Sequence, residues 1–405
     1  MNNFMRDDQN MDVSLASPSN VIDQMISIAL FDDAGMKKLL SNNEQNDSSH
    51  RTCPIASSTQ EKCRITIRSY FSKIDSLRRL AWNITGPKQL ERAEMKIFEA
   101  LKVHFDGYYV SVLNNAQKIW TVSSNLASNN IPIVLIHGFA GGVGLWSLNL
   151  DQLCADRPVY ALDLPGFARS SRPIFSLDPM EAEKQFVAIL EEWRIGIGLN
   201  KEFILLGHSF GGFLSTSYAI NYPKYVKQLV LIDPWGFSQK PENIWETGRL
   251  QRIPKRLRTF SPVIMKVSPL TVLRAAGPLG VSLIKRFRAD LHEKFTKLFD
   301  DDRILIYLFH CNAQLPTGEE AFQTMSDCFA WAKEPMIKRI HLLDERIPIC
   351  FLHGEQSWIT MKSSFIIQKQ RQNTSVDTIK DAGHHVYADT PEEFEIYLKR
   401  ILYNN

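Results

Sequence analysis

The sequence predicts an α/β fold in which helices cover both faces of a mostly parallel sheet and a helical cap is inserted over one edge. Two observations support this prediction. Short, continuously apolar segments, as buried parallel strands require, alternate with amphipathic segments of helical length. Between residues 238 and 345 the alternation stops, and a helical segment punctuated by prolines takes its place.

The predicted elements follow one another in a regular order. A hairpin of two half-buried strands is expected at 107–125. Later strands are expected at 131–139, 158–167, 203–209, 226–237, 347–354 and 376–385, with helices around 145–155, at 180–198 and from residue 210. The core is therefore expected in two parts, 107–237 and 346–405, with the cap at 238–345 between them.

Composition narrows the functional classes. The chain has 405 residues, 44% of them apolar, which suits one α/β domain with insertions. The net charge is only +3, so no nucleic-acid partner is expected. The 6 cysteines form no CxxC pair or metal-type spacing, so we expect free thiols, a reducing compartment, and neither a metal nor a cofactor. The N-terminus lacks the pattern of a secretory signal, and no apolar run is long enough to span a bilayer, so any membrane association is expected to be peripheral.

The N-terminal region is predicted in two parts. Residues 1–60 are polar and are expected to form a disordered or weakly helical tail. Residues 61–106 are expected to be a basic amphipathic helical segment, in which 62–82 places apolar residues on one helical face and ends at Trp82. Such a helix can lie on an anionic lipid surface, or it can pack on the domain as an ordinary surface helix, and both interpretations remain open.

The cap is basic in its first half. From 249 to 300 it holds twelve Lys or Arg against three Asp or Glu. Apolar residues are interleaved with these charges, which favours contact with phospholipid headgroups or an acidic partner over a purely solvated helical face.

The stretch "FILLGHSFGGFLS" (203–215) predicts a nucleophile. An apolar strand enters Gly207-His208-Ser209-Phe210-Gly211, and a helical sequence follows. A Gly-x-Ser-x-Gly turn between a strand and a helix is the nucleophile elbow, so Ser209 is the expected nucleophile. Gly207 and Gly211 are expected there because a Cβ at either position would collide with the neighbouring strand or helix.

A serine that attacks an ester needs two backbone N–H donors for the oxyanion that forms. One expected donor is Phe210, directly after the nucleophile. The second is expected from Phe139 in the glycine-rich loop "HGFAGG" (137–142), where residues such as Gly138 allow close backbone approach.

The general base is expected late in the chain, in "DAGHHVYADTPEEF". His384 follows Gly383 and is the expected base, with His385 as the alternative. His384 also begins an H-x4-D pattern that ends at Asp389, a spacing used by glycerolipid acyltransferases. Asp389 directly precedes a sequence that predicts a helix start, so it is expected either to shape that start or to take part in acyl transfer.

The sequence leaves open which carboxylate completes a triad of nucleophile, base and acid with Ser209 and His384. The expected chain order is Ser, acid, His, which points to the loop after "IPICFLHG". That loop reads "EQSWITMKSS", whose single carboxylate is Glu355. Asp233, at the end of the strand in "LVLIDPWGF", is the second candidate, because such a position can reach the same histidine.

Several strings together resemble one family. They are "HGFAGGVGLWSLNLDQL", "RPVYALDLPGFARSSRP", "LLGHSFGGF", "DPWGF", "HCNAQLPTGEEAF", "WAKEPMIKRI" and "AGHHVYADTPEEF". From about Trp82 to the C-terminus the chain resembles α/β-hydrolase domain-containing proteins 4 and 5, which implies the α/β-hydrolase fold. The resemblance covers Ser209, His384 and the oxyanion loop. The family places its acid after Ser-Trp-Ile or a similar string, where this sequence has Thr360.

The resemblance implies intracellular lipid metabolism. One branch resembles lysophospholipases that act on N-acylated phospholipids. The other resembles lipid-droplet proteins that activate a triacylglycerol lipase and also have lysophosphatidic acid acyltransferase activity. The vertebrate members of that coactivator branch carry Asn in the elbow, so Ser209 favours the hydrolase branch, whereas Thr360 favours a regulator.

These observations predict a serine carboxylic-ester hydrolase acting on (lyso)phospholipids or related acylated lipids. The alternatives are a lipid-droplet coactivator of a partner lipase, with weak or no catalysis, and a lysophosphatidic acid acyltransferase that makes phosphatidic acid. The expected partners are an acylated lipid, a membrane or lipid-droplet surface and, for the coactivator, a lipase. The expected location is the cytoplasm, peripheral on lipid droplets or on an intracellular membrane such as that of mitochondria or the endoplasmic reticulum.

Overall fold

The computed structural model describes residues 85–243, 268–327 and 330–403. The predicted tail at 1–60, the predicted helix at 62–82 and the basic residues of the cap between 244 and 267 lie outside the described residues.

An eight-stranded sheet forms the centre of the described chain. Its strands are β1 (Asp106–Val112), β2 (Gln117–Ser124), β3 (Ile133–Ile136), β4 (Val159–Leu162), β5 (Phe203–His208), β6 (Val226–Ile232), β9 (Ile349–Gly354) and β10 (Thr374–Ile379), after a small hairpin of β7 (Ser326–Asp327) and β8 (Trp331–Ala332). The order across the sheet is β1-β2-β4-β3-β5-β6-β9-β10. Strands β1 and β2 form the predicted antiparallel hairpin, and all pairs from β4 to β10 are parallel.

Helices connect the strands. Those of the core are α1 (Pro87–Phe98), α2 (Ser147–Leu153), α3 (Pro179–Gly196), α4 (Phe210–Asn221), α10 (Lys362–Gln370), α11 (Val386–Asp389) and α12 (Pro391–Tyr403). Those of the cap are α5 (Pro269–Ala276), α6 (Gly280–Phe287), α7 (Ala289–Phe295), α8 (Arg303–Asn312) and α9 (Thr317–Met325). Short 3₁₀ helices lie at Val143–Trp146, Pro223–Tyr225, Gly277–Leu279, Met336–Lys338 and Ile340–Leu342.

The strand sequences explain why both faces of the sheet are covered. Successive side chains of a strand point to opposite faces, so a strand that is apolar throughout needs packing on both sides. Ile133 and Leu135 of β3 belong to the apolar cluster that includes residues of α1, α2 and α12. Val134 and Ile136 belong to the cluster on the other face, with residues of α3, α4 and α10. The predicted α/β arrangement is therefore confirmed.

The parallel strands are shorter than predicted. The sequence predicts a last strand at 376–385, but β10 ends at Ile379, which pairs with Gly354, the last residue of β9. A strand continues only while a neighbour supplies backbone partners, so residues beyond this pair leave the sheet as a loop. This loop carries both histidines of the predicted site.

The cap lies between β6 and β9 in the chain and contacts loops at the carboxyl edge of the sheet. Asn312, the last residue of α8, donates a hydrogen bond to the Ala140 carbonyl at 2.9 Å, and Gly144 donates to the Tyr307 hydroxyl at 3.0 Å. The described cap helices therefore touch the loop that follows β3. In parallel α/β sheets, the crevice at the carboxyl ends of the strands is where ligands bind.

Candidate active site

Ser209 lies in the sharp turn between β5 and α4. Its backbone angles are φ 52° and ψ −117°, in a region that residues with a Cβ rarely occupy. Its N–H donates to the Ile232 carbonyl at 3.0 Å, and its own carbonyl accepts from Trp235 N–H at 3.1 Å. These bonds to the end of β6 hold the strained turn in place, as expected at a functional site.

The glycines around Ser209 are required by close backbone contacts. A Cβ at Gly207 would lie 2.5 Å from the carbonyl oxygen of Gly211 and 2.5 Å from Ser215 Oγ. A Cβ at Gly211 would lie 2.3 Å from the Ile136 oxygen and 2.5 Å from the His137 oxygen. The turn therefore has the packing that the Gly-x-Ser-x-Gly pattern predicts.

The structure brings Ser209, His384 and Asp233 into one hydrogen-bonded series. Ser209 Oγ lies 3.0 Å from His384 Nε2. His384 Nδ1 lies 2.5 Å from Asp233 Oδ2. The three side chains come from the turn after β5, the loop after β10 and the turn after β6, and all three are buried. This is the geometry of a nucleophile, a general base and an orienting acid.

Asp233 is held as a charged acceptor. Its carboxylate accepts from His384 and from the Ser357 hydroxyl at Oδ2, and it lies 3.0 Å from His353 Nδ1 at Oδ1. Burial alone would raise the pKa of Asp233, but the hydrogen bonds from His353 and His384 outweigh burial and lower the pKa below its ordinary value. Asp233 also has a positive φ of 42°, so both the nucleophile and this carboxylate occupy strained turns.

The structure does not bring the alternative acid, Glu355, to His384. The Glu355 side chain is exposed and accepts a hydrogen bond from the Asp381 N–H at 3.4 Å. Thr360, where the family places its acid, is exposed and accepts from Lys362 N–H. The expectation that the acid follows β9 is therefore wrong for this geometry. The carboxylate that contacts His384 follows β6, which lies directly beside the strand of the nucleophile.

His353, which sequence reasoning missed, is the second histidine on Asp233. It is the next-to-last residue of β9 and is almost fully buried. Its Nε2 lies 2.8 Å from Ser364 Oγ. The signal in the sequence was a lone polar residue near the end of the apolar string "IPICFLHG". Its importance depends on β6 and β9 being neighbours, which the sequence did not reveal.

The loop after β3 lies beside the nucleophile. A Cβ at Gly138 would lie 2.7 Å from His208 Nδ1 and 3.1 Å from Ser209 Cβ, so a larger residue would force a shift beside the nucleophile. Phe139 stacks on Phe322 of α9, with ring centroids 4.4 Å apart. Phe210 is the first residue of α4, where an amide has no carbonyl partner within the helix. Both predicted oxyanion donors therefore belong to backbone next to Ser209.

The loop that carries His384 is held from two sides. A Cβ at Gly354 would lie 2.1 Å from the Gly383 carbonyl oxygen, so the end of β9 packs directly against this loop. His208 Nε2 lies 3.0 Å from the His384 carbonyl oxygen. Burial and the adjacent His384 lower the pKa of His208 well below its ordinary value, so its ring stays neutral.

His385 does not take the position of the base. Its ring lies 5.1 Å from that of His208, whereas the ring bonded to Ser209 is that of His384. Burial, together with Lys294 and Arg288, lowers the pKa of His385 well below its ordinary value.

Asp389 is occupied by contacts of its own. Its Oδ2 accepts from Gly383 N–H at 2.9 Å, and its Oδ1 pairs with Lys294 of α7 at 2.9 Å. Lys294 also pairs with Asp290 at 2.9 Å. The carboxylate of the H-x4-D pattern thus ties the backbone just before His384 to the cap.

Several basic residues of the described cap are paired with carboxylates. The ion pairs are Arg274–Glu319, Lys285–Asp302, Arg288–Asp290, Lys294–Asp389 and Lys297–Glu392. Arg274, Arg288 and Lys294 are also mostly buried. In this part of the cap, positive charge of the basic stretch is therefore paired mainly with carboxylates that lie outside 249–300.

Within 85–243, 268–327 and 330–403, no cluster of three metal-binding side chains occurs. Over the same ranges, no helix has the length and apolar character needed to cross a bilayer.

Comparison with known proteins agrees with this geometry. A family model described as the alpha/beta hydrolase fold matches residues 131–268. The chain is 46% identical over 320 residues to "(Lyso)-N-acylphosphatidylethanolamine lipase" of Homo sapiens, a match that covers 78% of this chain and 92% of that protein. It is 44% identical to "1-acylglycerol-3-phosphate O-acyltransferase ABHD5" of Sus scrofa, over 78% of this chain and 90% of that protein.

Solved structures share the fold at low sequence identity. A naproxen esterase from Bacillus subtilis has a TM-score of 0.53 at 15% identity, covering 77% of this chain and 96% of the esterase. A membrane phospholipase A described as a bacterial virulence factor has a TM-score of 0.55 at 19% identity, covering 84% and 97%. The parallel sheet, the elbow and the close relatives agree, and the chain belongs to the α/β-hydrolase family, among the relatives of α/β-hydrolase domain-containing proteins 4 and 5.

Proposed function

We propose that the protein is a serine hydrolase that cleaves carboxylic esters of (lyso)phospholipids or related acylated lipids. The observation that carries this proposal is the hydrogen-bonded series Ser209 Oγ, His384 Nε2 and Nδ1, and Asp233 Oδ2. A nucleophile, a base and an orienting acid in this arrangement perform acyl transfer from esters.

The proposed reaction begins with attack of Ser209 Oγ on the ester carbonyl carbon. His384 Nε2 takes the hydroxyl proton while Asp233, bonded to Nδ1–H, stabilises the imidazolium that forms. The backbone N–H groups of Phe139 and Phe210 are the proposed donors to the oxyanion. His384 then gives its proton to the leaving alcohol, which leaves an acyl group on Ser209. Water, activated by His384, hydrolyses this acyl-enzyme and releases the fatty acid.

The lipid substrate is proposed from two supports. A relative that is 46% identical is named a (Lyso)-N-acylphosphatidylethanolamine lipase. Aromatic side chains also surround the elbow: the Phe322 ring lies 4.4 Å from that of Phe139, 5.0 Å from that of Phe210 and 4.7 Å from that of Trp235. Apolar surroundings suit an acyl chain and keep water from the charges that develop in the reaction.

Acyl transfer to a lysophospholipid is the second candidate function. The relative named as a 1-acylglycerol-3-phosphate O-acyltransferase, 44% identical, favours it. The same acyl-Ser209 would serve, with the hydroxyl of lysophosphatidic acid replacing water. Asp389 would then act only by holding the His384 loop, because its two oxygens are engaged by Gly383 and Lys294.

The coactivator alternative loses its main support. It was motivated by Thr360, where a triad acid was missing, and Asp233 supplies a carboxylate at His384 from another strand. We propose peripheral association with an intracellular membrane or lipid droplet, because the proposed substrate resides there. A lipase partner is not part of this proposal.

Covalent labelling tests the nucleophile. A fluorophosphonate probe should label the purified wild-type protein but not Ser209→Ala, and fatty-acid release from lysophospholipid vesicles should be lost in the same variant. Ser111→Ala, which changes an exposed serine on β1, is the matched control and should behave as wild type. Folded wild-type protein that neither reacts with the probe nor releases fatty acid would contradict the proposal.

An acceptor assay separates the two candidate functions. The wild-type protein is given a lysophospholipid with a labelled acyl chain, with and without lysophosphatidic acid as acceptor. Labelled free fatty acid in both samples supports hydrolysis. Labelled phosphatidic acid at the expense of free fatty acid supports transfer.

A further inference from the structure

His353 contacts the side of Asp233 that His384 does not use. We propose, resting on the function above, that His353 is a positioning residue: it holds the Asp233 carboxylate charged and aimed at His384, with Ser364 fixing the proton of His353 on Nδ1. The site would then be a series of five side chains, Ser209, His384, Asp233, His353 and Ser364.

The contacts of Asp233 support the proposal that His353 aims its carboxylate at His384. Its two oxygens are divided between the two histidines, with Oδ2 2.5 Å from His384 Nδ1 and Oδ1 3.0 Å from His353 Nδ1. A carboxylate bonded at one oxygen can rotate about its terminal torsion, since sp³–sp² torsions are broad. A donor at the second oxygen restricts that rotation. His353 therefore fixes the plane of the carboxylate that orients His384.

The sheet explains why His353 can do this. Ile232 of β6 pairs with Leu352 of β9, so the next residues, Asp233 and His353, emerge side by side. The Asp233 N–H donates to the Leu352 carbonyl at 2.7 Å, which continues the ladder into the turn. Two side chains that lie 120 residues apart in the chain are thus brought together by strand pairing alone.

The partners of His353 determine which ring nitrogen carries its proton. An ionised Asp233 can only accept, so His353 Nδ1 must be the donor. His353 Nε2 lies 2.8 Å from Ser364 Oγ, and a hydroxyl can donate to it. A hydrogen bond donated by Ser364 to Nε2 thus favours the Nδ1–H tautomer, which donates to the carboxylate.

The buried carboxylate of Asp233 needs hydrogen-bond donors to stay charged. Asp233 is fully buried and His353 is 1% exposed. His384 and Ser357 both donate to Oδ2, so removal of His353 takes away the donor at Oδ1 and raises the affinity of the carboxylate for a proton. The titratable groups that face Asp233 are His353 on β9, His384 on the loop after β10 and His208 at the end of β5. His208 bonds to the His384 carbonyl and not to Asp233, so His353 is the histidine other than His384 that supports the acid.

Three variants separate positioning from packing. His353→Phe keeps an aromatic ring but removes the donor. His353→Asn is the conservative variant, because its amide can present N–H close to the Nδ1 position. Ser364→Ala removes the hydroxyl that fixes the tautomer. His310→Phe is the matched control: a half-buried histidine on α8 that is bonded to Thr85.

Kinetics with a p-nitrophenyl ester provide the first measurement. We expect His353→Phe to lower kcat/KM by about 10- to 100-fold, with the loss in kcat and not in KM. The acidic limb of the pH profile, where activity falls toward low pH, should move to higher pH, because loss of the donor from His353 raises the pKa of the Asp233 carboxyl. His353→Asn should recover most of the activity and the wild-type limb, and His310→Phe should leave the limb unchanged.

Isotope-labelled histidine NMR provides the second measurement and needs no turnover. In the wild-type protein, His353 Nδ1 should carry a proton directed at Asp233, and Ser364→Ala should change the tautomer ratio of His353. A His353 ring without a proton on Nδ1 would overturn the inference, as would a His353→Phe variant with an unchanged acidic limb and kcat. If the wild-type protein is inactive toward esters and fluorophosphonate, the proposed function fails, and the NMR result alone then decides whether His353 orients Asp233.

Discussion

The two halves of the site are held by different means. Ser209 and Asp233 lie in turns at the ends of neighbouring parallel strands, and backbone bonds and close contacts fix both. His384 and the loop 138–142 lie outside the sheet, and side chains of the cap help to hold each of them. Asn312 bonds to the loop at Ala140, and Lys294 reaches the His384 loop through Asp389.

This difference has a functional meaning. The half formed by Ser209 and Asp233, here called the sheet half, is rigid, because hydrogen bonds between parallel strands leave the strand ends little freedom. The other half, formed by His384 and the loop 138–142, is here called the loop half. It depends on contacts with the cap, so displacement of the cap would disturb the proposed base and the Phe139 N–H while leaving Ser209 and the Phe210 N–H in place. The four predictions below test that division, from the largest expected effect to the smallest.

Asp233→Asn should cause the largest loss. Without a charged acceptor at Nδ1, His384 loses its orientation, and we expect kcat to fall by about four orders of magnitude. Steady-state ester hydrolysis measures the loss, with circular dichroism as the check on folding. Glu355→Gln and Thr360→Ala should retain wild-type kcat, and an equal loss in Glu355→Gln would restore the conventional position of the acid.

Gly211→Ala should damage the sheet half through packing. The added Cβ would lie 2.3 Å from the Ile136 oxygen, which is backbone and cannot move aside. We expect the free energy of unfolding to drop by about 3 kcal/mol or more, measured by urea denaturation.

Gly86→Ala is the control for this substitution, because its Cβ would meet only the flexible side chain of Gln89. Its free energy of unfolding should be close to that of the wild type. Equal stability of Gly211→Ala and Gly86→Ala would show that the elbow is not fixed by sterics.

Lys294→Gln should weaken the loop half. It removes the cation that pairs with Asp389, whose other oxygen holds Gly383 N–H beside His384. We expect kcat to fall by about 10-fold, as for loss of one hydrogen bond to a buried charged group. Lys297→Gln is the matched control, because Lys297 makes an exposed pair with Glu392, and such pairs contribute little. Equal kcat in the two variants would mean that the cap does not hold the base.

Asn312→Ala should have the smallest effect on catalysis. Ala140 has φ 59°, and the amide of Asn312 bonds to its carbonyl, so the substitution loosens the loop that follows Phe139. Removal of a direct oxyanion donor costs about 100-fold or more, and an indirect support should cost about 5-fold.

Gln314→Ala tests whether any polar change at this end of α8 has the same effect. Gln314 contacts Thr85 and the His310 carbonyl, not the loop after β3. We expect its kcat to remain at the wild-type value. A loss equal to that of Asn312→Ala would mean that the bond to Ala140 has no special role.

Local sequence patterns predicted the covered sheet, the turn at Ser209 and the cap. The apolar strings of β3, β5 and β6 required two covered faces, and the structure has them. The pattern around Ser209 predicted its turn because the steric reason for each glycine lies within a few residues. The cap was also detectable, since a long helical segment interrupts the alternation of strands and helices. Its basic charge predicted a surface for headgroups, but four of its described cations pair with carboxylates from outside the basic stretch 249–300.

The sequence by itself determined the fold class, the elbow and the histidine that approaches it, because each depends on local periodicity or on a short motif. Only the tertiary structure decided which carboxylate meets His384. Asp233 and Glu355 both follow a strand, and only the lateral order of the sheet places β6 next to the strand of Ser209. The pairing of β6 with β9 sets His353 beside Asp233. Long-range strand neighbours are chosen by the packing of the whole core, and no stretch of sequence carries that information alone.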